Sequence, residues 1–400
     1  MLMSCSYCNS VLSVLMQTEK KISIEIYDRI ADISSTDWNA CAGLNNPFVQ
    51  HAFLNALEIS GSVTPETGWL AQHVLVKDEE GNPTACAPLY LNNHSYGEYI
   101  FDWGWADAFQ RAGGAYYPKL QAAIPFTPAT GPRLLVKQGA SDEYFGILVS
   151  AMLKIAKQHG VSSLHLTFLT KEEWKRLGNL SFMQRTSSQF HWENKNYRDF
   201  DDFLDSLISR KRKSIKKERR RVCEEGIELF CLTGDELSEE KWDIFYGYYT
   251  DTIDRKWGRS YLTRDFFSIL GETMSNLAML VLAEHNNNPV AGALNFLGSE
   301  TIFGRNWGCS QDFKFLHFEA CYYQAIEYAI NNKLKWVEAG AQGPHKIQRG
   351  YLPREVYSAH WIKNDSLSAA IESFLERERK EVDYQISELM RYSPFRSEKY

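Results

Sequence analysis

The feature that most limits how this chain can fold is a repeated hairpin pattern. Residues 81–91 (Gly-Asn-Pro-Thr-Ala-Cys-Ala-Pro-Leu-Tyr-Leu) and residues 287–297 (Asn-Asn-Pro-Val-Ala-Gly-Ala-Leu-Asn-Phe-Leu) align position by position. In each copy the Asn-Pro turn separates two apolar strands, and a helix and a further buried strand follow. The predicted helix and buried strand are 142–159 and 163–168 in the first copy, and 318–331 and 334–337 in the second. The recurring order indicates an internal duplication, so we predict an α/β chain of two similar domains.

The composition is that of a globular protein. The 400 residues are 44% hydrophobic and 14% aromatic, with a net charge of −6, which excludes disorder and general nucleic-acid binding. Apart from Cys5 and Cys8, the cysteines are scattered, as is typical of a reducing compartment, so we expect a cytoplasmic protein. No His/Cys constellation predicts a metal site, and no apolar run has the roughly 20 residues that span a bilayer.

The predicted organisation has four parts. Residues 1–21 form a poorly ordered extension, with Met16 as the expected initiator. A first lobe covers 22–198 and a second lobe 199–366. Between them they carry an irregular, Pro- and Gly-broken aromatic insert at 92–135 and a basic helix that opens the second lobe. Residues 367–400 form a charged, surface helix.

Several sequence blocks resemble a known family. They are 101–109 (Phe-Asp-Trp-Gly-Trp-Ala-Asp-Ala-Phe), 116–120, 125–133, 212–220, 316–324 and 338–353. With these blocks the chain resembles the FemAB-like branch of the GNAT acyltransferase superfamily, and within it a bacterial family of N-acyltransferases labelled as peptidoglycan-related. The resemblance covers about residues 22–380. It implies two tandem GNAT-like (acyl-CoA N-acyltransferase) domains of FemAB type, in agreement with the duplication.

The resemblance also implies a reaction. GNAT enzymes move an acyl group from acyl-CoA to an amine, which is the activity we expect, with acyl-CoA as co-substrate. FemAB-type relatives instead move an amino acid from aminoacyl-tRNA to a cell-wall precursor. The usual pyrophosphate loop of GNAT enzymes is absent, because residues 308–317 read Gly-Cys-Ser-Gln-Asp-Phe-Lys-Phe-Leu-His. A non-catalytic binder of an anionic, cell-wall-like ligand is the third reading.

The glycine-rich segment 338–353 is the main candidate for chemistry. Polar side chains follow a predicted strand there, which is where α/β proteins place their sites, although an ordinary surface loop has a similar composition. His345 is a candidate base and Glu338 a candidate to orient it. Lys346 and Arg349 suit a phosphate or carboxylate, and Gln342 a substrate. The first copy has only a plain connection here, so we place the site mostly on the second lobe.

A second catalytic pair lies at the predicted start of helix 318–331. A helix N-terminus attracts anions, and His317 and Glu319 there are candidates to move a proton. The simpler interpretation is that Glu319 only complements the helix dipole. Cys321, one turn after His317, offers a less favoured thiol–imidazole pair.

Aromatic and acidic residues suggest a groove for the acceptor. Asp102, Trp103 and Asp107, with Trp105 beside them, are predicted to contact a ligand bearing amines or sugars, unless they only pack the core. Arg305 and Trp307 are predicted to contact substrate from the second-lobe strand 301–308.

The segment 210–221 is the strongest electrostatic feature. It has nine basic residues and one acidic residue, and such a run needs an anionic partner or remains a solvated helix face. We assign Arg212 and Lys216 to co-substrate binding. Transfer RNA, nucleotide phosphate and anionic lipid are the open alternatives for the partner.

Overall fold

The computed structural model describes residues 12–13, 22–256, 258, 260–340 and 343–396. The prediction of a poorly ordered extension at 1–21 falls almost entirely outside them, and so does Gln342.

The strands of the described residues vary in length from two to 11 residues. They are β1 (Leu12–Ser13), β2 (Ser23–Tyr27), β3 (Trp69–Ala71), β4 (His73–Lys77), β5 (Pro83–Ala87), β6 (Tyr90–Asn92), β7 (Lys119–Ala122), β8 (Leu135–Val136), β9 (Ser163–Leu169), β10 (Met183–Glu193), β11 (Ile227–Thr233), β12 (Ala278–His285), β13 (Asn288–Leu297), β14 (Thr301–Cys309), β15 (Trp336–Glu338) and β16 (Leu352–Ile362).

The α-helices lie singly or in consecutive pairs among these strands. They are α1 (Ser35–Ala42), α2 (His51–Ile59), α3 (Trp103–Arg111), α4 (Glu143–His159), α5 (Lys171–Asn179), α6 (Phe200–Asp205), α7 (Ser209–Glu224), α8 (Glu239–Lys256), α9 (Arg264–Met274), α10 (Leu316–Phe318), α11 (Gln324–Asn331) and α12 (Asp365–Met390). A π-helical turn, Glu319–Tyr323, joins α10 to α11, and a 3-10 turn, Pro344–Arg349, follows β15.

The first compact unit comprises Met1–Leu44, Phe48–Arg185 and Tyr357–Glu376. One of its sheets has the order β1-β2-β4-β5-β8. A second set of strands has the order β3-β6-β7-β9, and β9 pairs with the last six residues of β16, Tyr357–Ile362. Helix α4 packs one buried apolar side, which includes Leu148, Met152 and Ile155, on these strands to form the core. Its C-terminus is closed by Gly160 in the left-handed conformation that glycine adopts without a Cβ penalty.

The second unit comprises Asn45–Pro47, Thr186–Val356 and Arg377–Tyr400. Its strands follow the order β11-β12-β13-β14-β15-β10. Apolar side chains of the π-helical turn and α11, such as Ala320, Tyr323 and Ile326, pack on this sheet together with the aromatic residues of α6. This core supports the elements that surround the cavity described below.

The hairpin repeat found in the sequence recurs in the strand register. In the β4–β5 hairpin the register shifts directly after Pro83, and Thr84 is the extra residue of a bulge. In the β12–β13 hairpin the register shifts directly after Pro289, and Val290 is the extra residue. These are corresponding positions of the two aligned segments. The two hairpins therefore share a local irregularity as well as a sequence pattern, as expected of a duplication.

Among the described residues, each unit has a parallel strand pair, β7–β9 in the first and β14–β15 in the second. The next strand beside β9 is β16, and the next beside β15 is β10, both antiparallel. Strand β10 follows β9 in the chain but pairs with β15 of the second unit. Strand β16 follows β15 in the chain but pairs with β9 of the first unit. The predicted lobes 22–198 and 199–366 follow the chain without this exchange.

The insert is more regular than the sequence suggested. Within 92–135, which we expected to be irregular, the structure has helix α3 and strand β7. The expectation fails only for these two elements, because the prolines and glycines lie mostly outside them and Gly104 occupies the exposed first turn of α3. The basic segment 210–221 lies in α7, and the predicted C-terminal helix is α12, of which only Ile371 and Leu375 are buried.

Candidate functional site

A cavity opens where the parallel pair of the second unit separates. Strands β14 and β15 are paired over Thr301–Phe303 and Trp336–Glu338, and then β15 ends while β14 continues to Cys309. The cavity that results has a volume of about 430 Å³. Such an opening exposes strand backbone that has lost its ladder partner and places it beside side chains of the following loop.

Strand β14 is bulged at the mouth of this cavity. Asn295 pairs with Gly304 and Leu294 with Asn306, so that Arg305 is the extra residue. A Cβ at Gly304 would lie 3.2 Å from the carbonyl oxygen of Glu338, which is closer than a side chain normally approaches. The bulge turns Arg305 and Trp307, both predicted to bind substrate, into the lining of the cavity.

Lys346 is the central charged group of the cavity. Its side chain is buried, and its ammonium donates to the carbonyl oxygens of Ala339 and Gly340, the second at 3.2 Å. It also lies 6.0 Å from the centre of the Tyr322 ring. Burial lowers the pKa of Lys346 to about 8, partly offset by Cys321. The cavity therefore holds a cation that exchanges its proton close to neutral pH.

His345 lies beside Lys346 in an aromatic setting. Its Nε2 is 3.2 Å from the hydroxyl of Tyr322, and its ring is edge-on to that of His317 at 6.4 Å between centroids. Burial, followed by the charges of Arg349 and Lys346, lowers the pKa of His345. The imidazole is therefore neutral at pH 7 and one ring nitrogen can accept a proton. His317 and His345, both candidate catalytic residues, line the cavity.

Gly343 makes this position of His345 possible. Its φ of +96° is one that side-chain-bearing residues rarely adopt, and a Cβ there would lie 2.3 Å from the His345 ring. The glycine at position 343 is therefore required by the packing of the His345 ring.

Arg349 has a different partner from the phosphate or carboxylate ligand expected for it. Its Nη2 donates to both carboxylate oxygens of Glu218 on α7, at 2.9 and 3.0 Å. Its Nη1 donates to the carbonyl of His345 at 2.9 Å, and its guanidinium lies 3.4 Å from the centre of the Phe318 ring. With both ends engaged and the side chain buried, Arg349 positions the 344–349 turn.

The two candidate carboxylates lie outside the cavity lining. Glu319 is buried in the π-helical turn and accepts from Arg219 and Gln324, the latter at 2.8 Å. Glu338, also buried, has an oxygen 4.0 Å from Nε2 of His191 on β10. Glu319 is thus engaged with α7, as a structural carboxylate would be. Catalytic roles for these two residues stay predictions that the geometry does not support.

Helix α7 is partly neutralised by its surroundings. Arg212 pairs with Asp205 at 2.7 Å and Lys216 with Asp201 at 2.8 Å, so both co-substrate candidates contact acidic residues of α6. The exposed basic residues that remain along one side, three and four positions apart, are Arg210, Lys213 and Lys217. Lys211 donates to Gln348 at 3.0 Å, which places α7 directly beside the turn that carries His345 and Lys346.

The acidic-aromatic candidates of the insert lie in the first unit and divide into two kinds. Asp102 and Trp105 are buried, whereas Trp103 is 49% exposed. Asp107 is exposed and pairs with Arg111 at 2.9 Å. Asp102 belongs to a cluster around the fully buried Lys119, whose ammonium is 2.8 Å from Glu98 and 2.5 Å from Asp102. Substrate contact by Asp102 would require this cluster to open.

Sequence reasoning missed several residues that line the cavity and several that surround Lys119. Tyr322 and Asn295 line the cavity, and Lys119, Glu98, His165 and His360 are buried together in the first unit. A lysine that starts a short strand looks like a surface residue, so only the proximity of two acids could have singled out Lys119. For Tyr322, the i, i+4 spacing from Phe318 was an available signal.

The fold and the parallel pair in each unit define the class of this protein, two tandem GNAT-like α/β domains. The chain belongs to the FemAB-like family, whose model, described as peptidoglycan biosynthesis/recognition, matches residues 29–397. Both the predicted fold class and the predicted family are therefore confirmed. Membership supports a transferase related to peptidoglycan. A comparison with curated protein sequences gave no match.

Solved structures with the same fold are distant in sequence. FemX superposes with a TM-score of 0.55 at 12% identity, over 89% of this chain and 100% of FemX. A conserved protein of unknown function from Bacteroides thetaiotaomicron gives 0.52 at 10% identity, over 84% and 98%. L-PGS from Bacillus licheniformis gives 0.50 at 12% identity, over 83% and 98%. At these identities the likeness concerns the fold alone.

Two further findings concern the described residues only. In that part of the chain, no three His, Cys, Asp or Glu side chains are grouped so as to hold a metal ion. The helices of the same part include none that is long and apolar enough to cross a membrane.

Proposed function

We propose that the cavity between β14 and β15 transfers an acyl group from an activated ester or thioester to an amine. The observation that carries the proposal is the ammonium of Lys346, buried against two backbone carbonyls at the strand opening and beside a neutral imidazole. A preorganised cation in a closed site stabilises a developing oxyanion far more than water does. A neutral imidazole within reach is a suitable acceptor for the amine proton.

The chemical roles follow from this arrangement. The acceptor amine attacks the acyl carbonyl carbon, and the carbonyl oxygen becomes an oxyanion that the Lys346 ammonium stabilises. His345, held by the Tyr322 hydroxyl, takes the proton that the amine loses. The carbon–oxygen or carbon–sulfur bond of the donor then breaks, and the proton passes to the leaving group. Amide formation needs no further reactant.

For the donor, the structure supports an aminoacyl ester better than acyl-CoA. At the helix start after β14, the N–H groups of Leu316 and Phe318 already donate to the carbonyls of Phe313 and Phe315, at 3.2 and 3.0 Å. They are thereby withdrawn from binding a pyrophosphate, which is consistent with the missing GNAT loop.

The surface beside the cavity supports the same choice. The exposed face of α7, formed by Arg210, Lys213 and Lys217, adjoins the 344–349 turn through Lys211 and Gln348. A row of cations at this place suits the phosphates of an aminoacyl-tRNA whose acceptor end enters the cavity. We further propose a cell-wall precursor amine as acceptor, which the family description supports, and a cytoplasmic setting, where both substrates are made.

The test is a single-turnover assay of the purified chain. Aminoacyl-tRNA or acetyl-CoA is combined with a UDP-linked muramyl pentapeptide, and new amide bonds are detected by mass spectrometry. We expect product with aminoacyl-tRNA, lost in Lys346→Met and kept in Lys335→Met, which removes an exposed lysine of the same unit. Product from acetyl-CoA alone would reassign the donor. Precursor binding without product from either donor would favour a non-catalytic binder.

A further inference from the structure

In the segment 93–103 of the first unit the carboxylates are buried and most of the aromatic side chains are exposed, which reverses the usual arrangement. From Glu98 to Trp103 the side chains alternate, with Glu98, Ile100 and Asp102 buried and the aromatic residues between them exposed. Folding for stability alone buries aromatic rings and exposes carboxylates. The exposed residues Tyr96, Tyr99, Phe101 and Trp103, which we call the aromatic ledge, are 41–59% exposed.

The buried side chains hold this segment in place. Lys119 on β7 contacts three of them, at 2.8 Å from Ser95, 2.8 Å from Glu98 and 2.5 Å from Asp102. Ser95 also donates to Asp102 at 2.5 Å, and Tyr116 does so at 2.7 Å. Partnered buried charges fix a backbone in one conformation. The segment is therefore anchored from beneath, and the ledge is a fixed surface.

The backbone is anchored next to the ledge as well. Arg185 donates to the carbonyl of Phe101 at 2.9 Å, and its guanidinium lies 5.1 Å from the centre of the buried Trp105 ring. Asp102 precedes α3 directly, so the helix start and the buried cluster set the position of Trp103.

The rings of the ledge form a continuous surface. Phe101 and Trp103 are stacked, with 4.4 Å between centroids and 23° between planes. Tyr96 adjoins Trp103 at 6.2 Å, and Tyr99 adjoins Phe101 at 6.4 Å. Stacking covers one face of Phe101 and one of Trp103, so each ring presents its other face, and the two tyrosines add hydroxyl groups to the ledge.

The charge of the segment separates two classes of partner. Aromatic residues that bind anionic membranes are accompanied by exposed lysines and arginines. Residues 93–103 contain neither, and both of their carboxylates are buried. The exposed side chains of 93–103 thus carry no carboxylate, lysine or arginine, and the cation nearby, Arg185, is engaged by the Phe101 carbonyl. Rings and hydroxyls of this kind fit a neutral ligand that offers C–H faces and hydroxyl groups, which is the chemistry of a pyranose ring.

We propose that the aromatic ledge binds a neutral oligosaccharide. Its pyranose rings lie on Phe101 and Trp103, and its hydroxyls reach Tyr96 and Tyr99. This site is distinct from the cavity of the second unit, and the proposal stands without the acyl-transfer reaction. In this proposal Trp103 keeps its predicted contact with a ligand, whereas Asp102, together with the previously unpredicted Lys119, is a positioning residue.

Calorimetric titration of the full chain with chitotetraose and with cellotetraose tests the proposal. We expect binding of at least one, weakened about 10-fold or more in Trp103→Ala and in Phe101→Ala. Tyr384→Ala, which removes a ring that is 65% exposed elsewhere, should bind as the natural chain does. Thermal unfolding of each variant checks that it is folded, and the two single variants give independent readings.

Three outcomes would overturn the proposal. One is that neither oligosaccharide binds to the natural chain. Another is that both folded ledge variants bind unchanged. The third is that the natural chain sediments with phosphatidylcholine vesicles and Trp103→Ala does not, which would assign the ledge to a membrane surface.

Discussion

Arg349 and Glu218 form a buried two-point ion pair that connects the basic helix to the candidate site. The two contacts measure 2.9 and 3.0 Å, and the hydroxyl of Tyr323 donates to the same carboxylate. Because Arg349 also donates to the carbonyl of His345, the pair fixes the turn that carries both proposed catalytic groups. Arg349 was expected to bind a ligand. In the structure it instead positions His345 and Lys346, the two catalytic groups of our proposal.

Removing Glu218 should therefore destabilise the protein and the site together. In Glu218→Ala the buried guanidinium loses its counter-charge, and we expect the free energy of unfolding to fall by about 3–5 kcal/mol. Urea unfolding measures this. Glu224→Ala, which removes a carboxylate from an exposed pair with Arg221 on the same helix, should leave stability unchanged. A similar stability of both variants would show that the Arg349 pair contributes little.

Lys346 should give the reaction an upper pH limit. Its pKa is lowered to about 8 by burial, and the proposed role needs the cation. Turnover should therefore fall as pH rises through about 8. Lys346→Met should lose about 10²–10³-fold in kcat, measured by single turnover across pH 6–10. Lys346→Arg keeps a charge that does not titrate in this range, so the activity that remains should not fall above pH 8. The same upper limit in the arginine variant would assign the titration to another group.

The lowered pKa of Lys346 also predicts that stability, unlike turnover, rises with pH. Between pH 8 and the ordinary lysine value of 10.5, the unfolded chain binds more protons at Lys346 than the folded protein does. Stability due to this group therefore rises with pH over that range. At pH 7, Lys346→Met should be at least as stable as the natural chain by urea unfolding, because it no longer buries a charge. A large loss of stability would mean that the two carbonyl contacts outweigh the cost of burying the charge.

The sequence predicted those features that repeat or that depend on local chemistry. The Asn-Pro hairpins are local patterns, and each recurs with its bulge at Thr84 or Val290. The glycine-punctuated segment led to His345 and Lys346, which line the cavity, and Gly343 is required by the position of the His345 ring itself. Constraints of this kind depend on residues close together in the chain, so the sequence alone indicates them.

What could not be predicted depends on residues far apart in the chain. The pairing of β10 with β15 and of β16 with β9 is a choice among strands of similar pattern. Whether Arg349 or Glu319 faces a ligand depends on Glu218 and Arg219, which lie 131 and 100 positions away. Likewise, two buried acids 17 and 21 positions before Lys119 make it an internal cation. Charge pairing over such separations leaves no signal in a single sequence.

The histidine pair of the first unit should make the protein sensitive to acid. Nδ1 of His165 and Nδ1 of His360 are 2.7 Å apart, so one donates and the other accepts. Burial lowers the pKa of His165 to about 3 and lowers that of His360 well below 6.5. Below pH 6.5 the unfolded chain binds protons that the folded protein excludes, so these groups lower stability as pH falls.

A variant isolates the contribution of one histidine. Glu98 has a pKa raised to about 7 by burial and opposes the trend between pH 7 and 4.5. The prediction therefore concerns the difference between variant and natural chain. From pH 6.5 to 4.5, His360→Asn should lose less stability by about 1.4 kcal/mol per pH unit. His159→Asn, an exposed histidine, should follow the natural chain. Equal slopes in all three proteins would contradict the assignment.

The exposed face of α7 should account for binding to RNA. Arg212 and Lys216 contact acidic residues of α6, so Arg210, Lys213 and Lys217 are the cations available to phosphates. Each phosphate contact contributes about 0.7–0.9 to the slope of log K against log salt. Replacing all three with glutamine should lower the slope for tRNA by about 2–3, measured by filter binding between 50 and 300 mM salt.

The matched triple variant is Lys154→Gln, Lys157→Gln and Lys175→Gln, which removes the same charge from exposed positions of the first unit. If a general attraction to net charge governs binding, both triple variants lose the same slope. If the α7 face is the contact surface, only the first does, because counterions are released where phosphates are actually neutralised. Failure of the natural chain to bind tRNA at 50 mM salt would contradict the RNA reading, and with it the choice of an aminoacyl ester as donor.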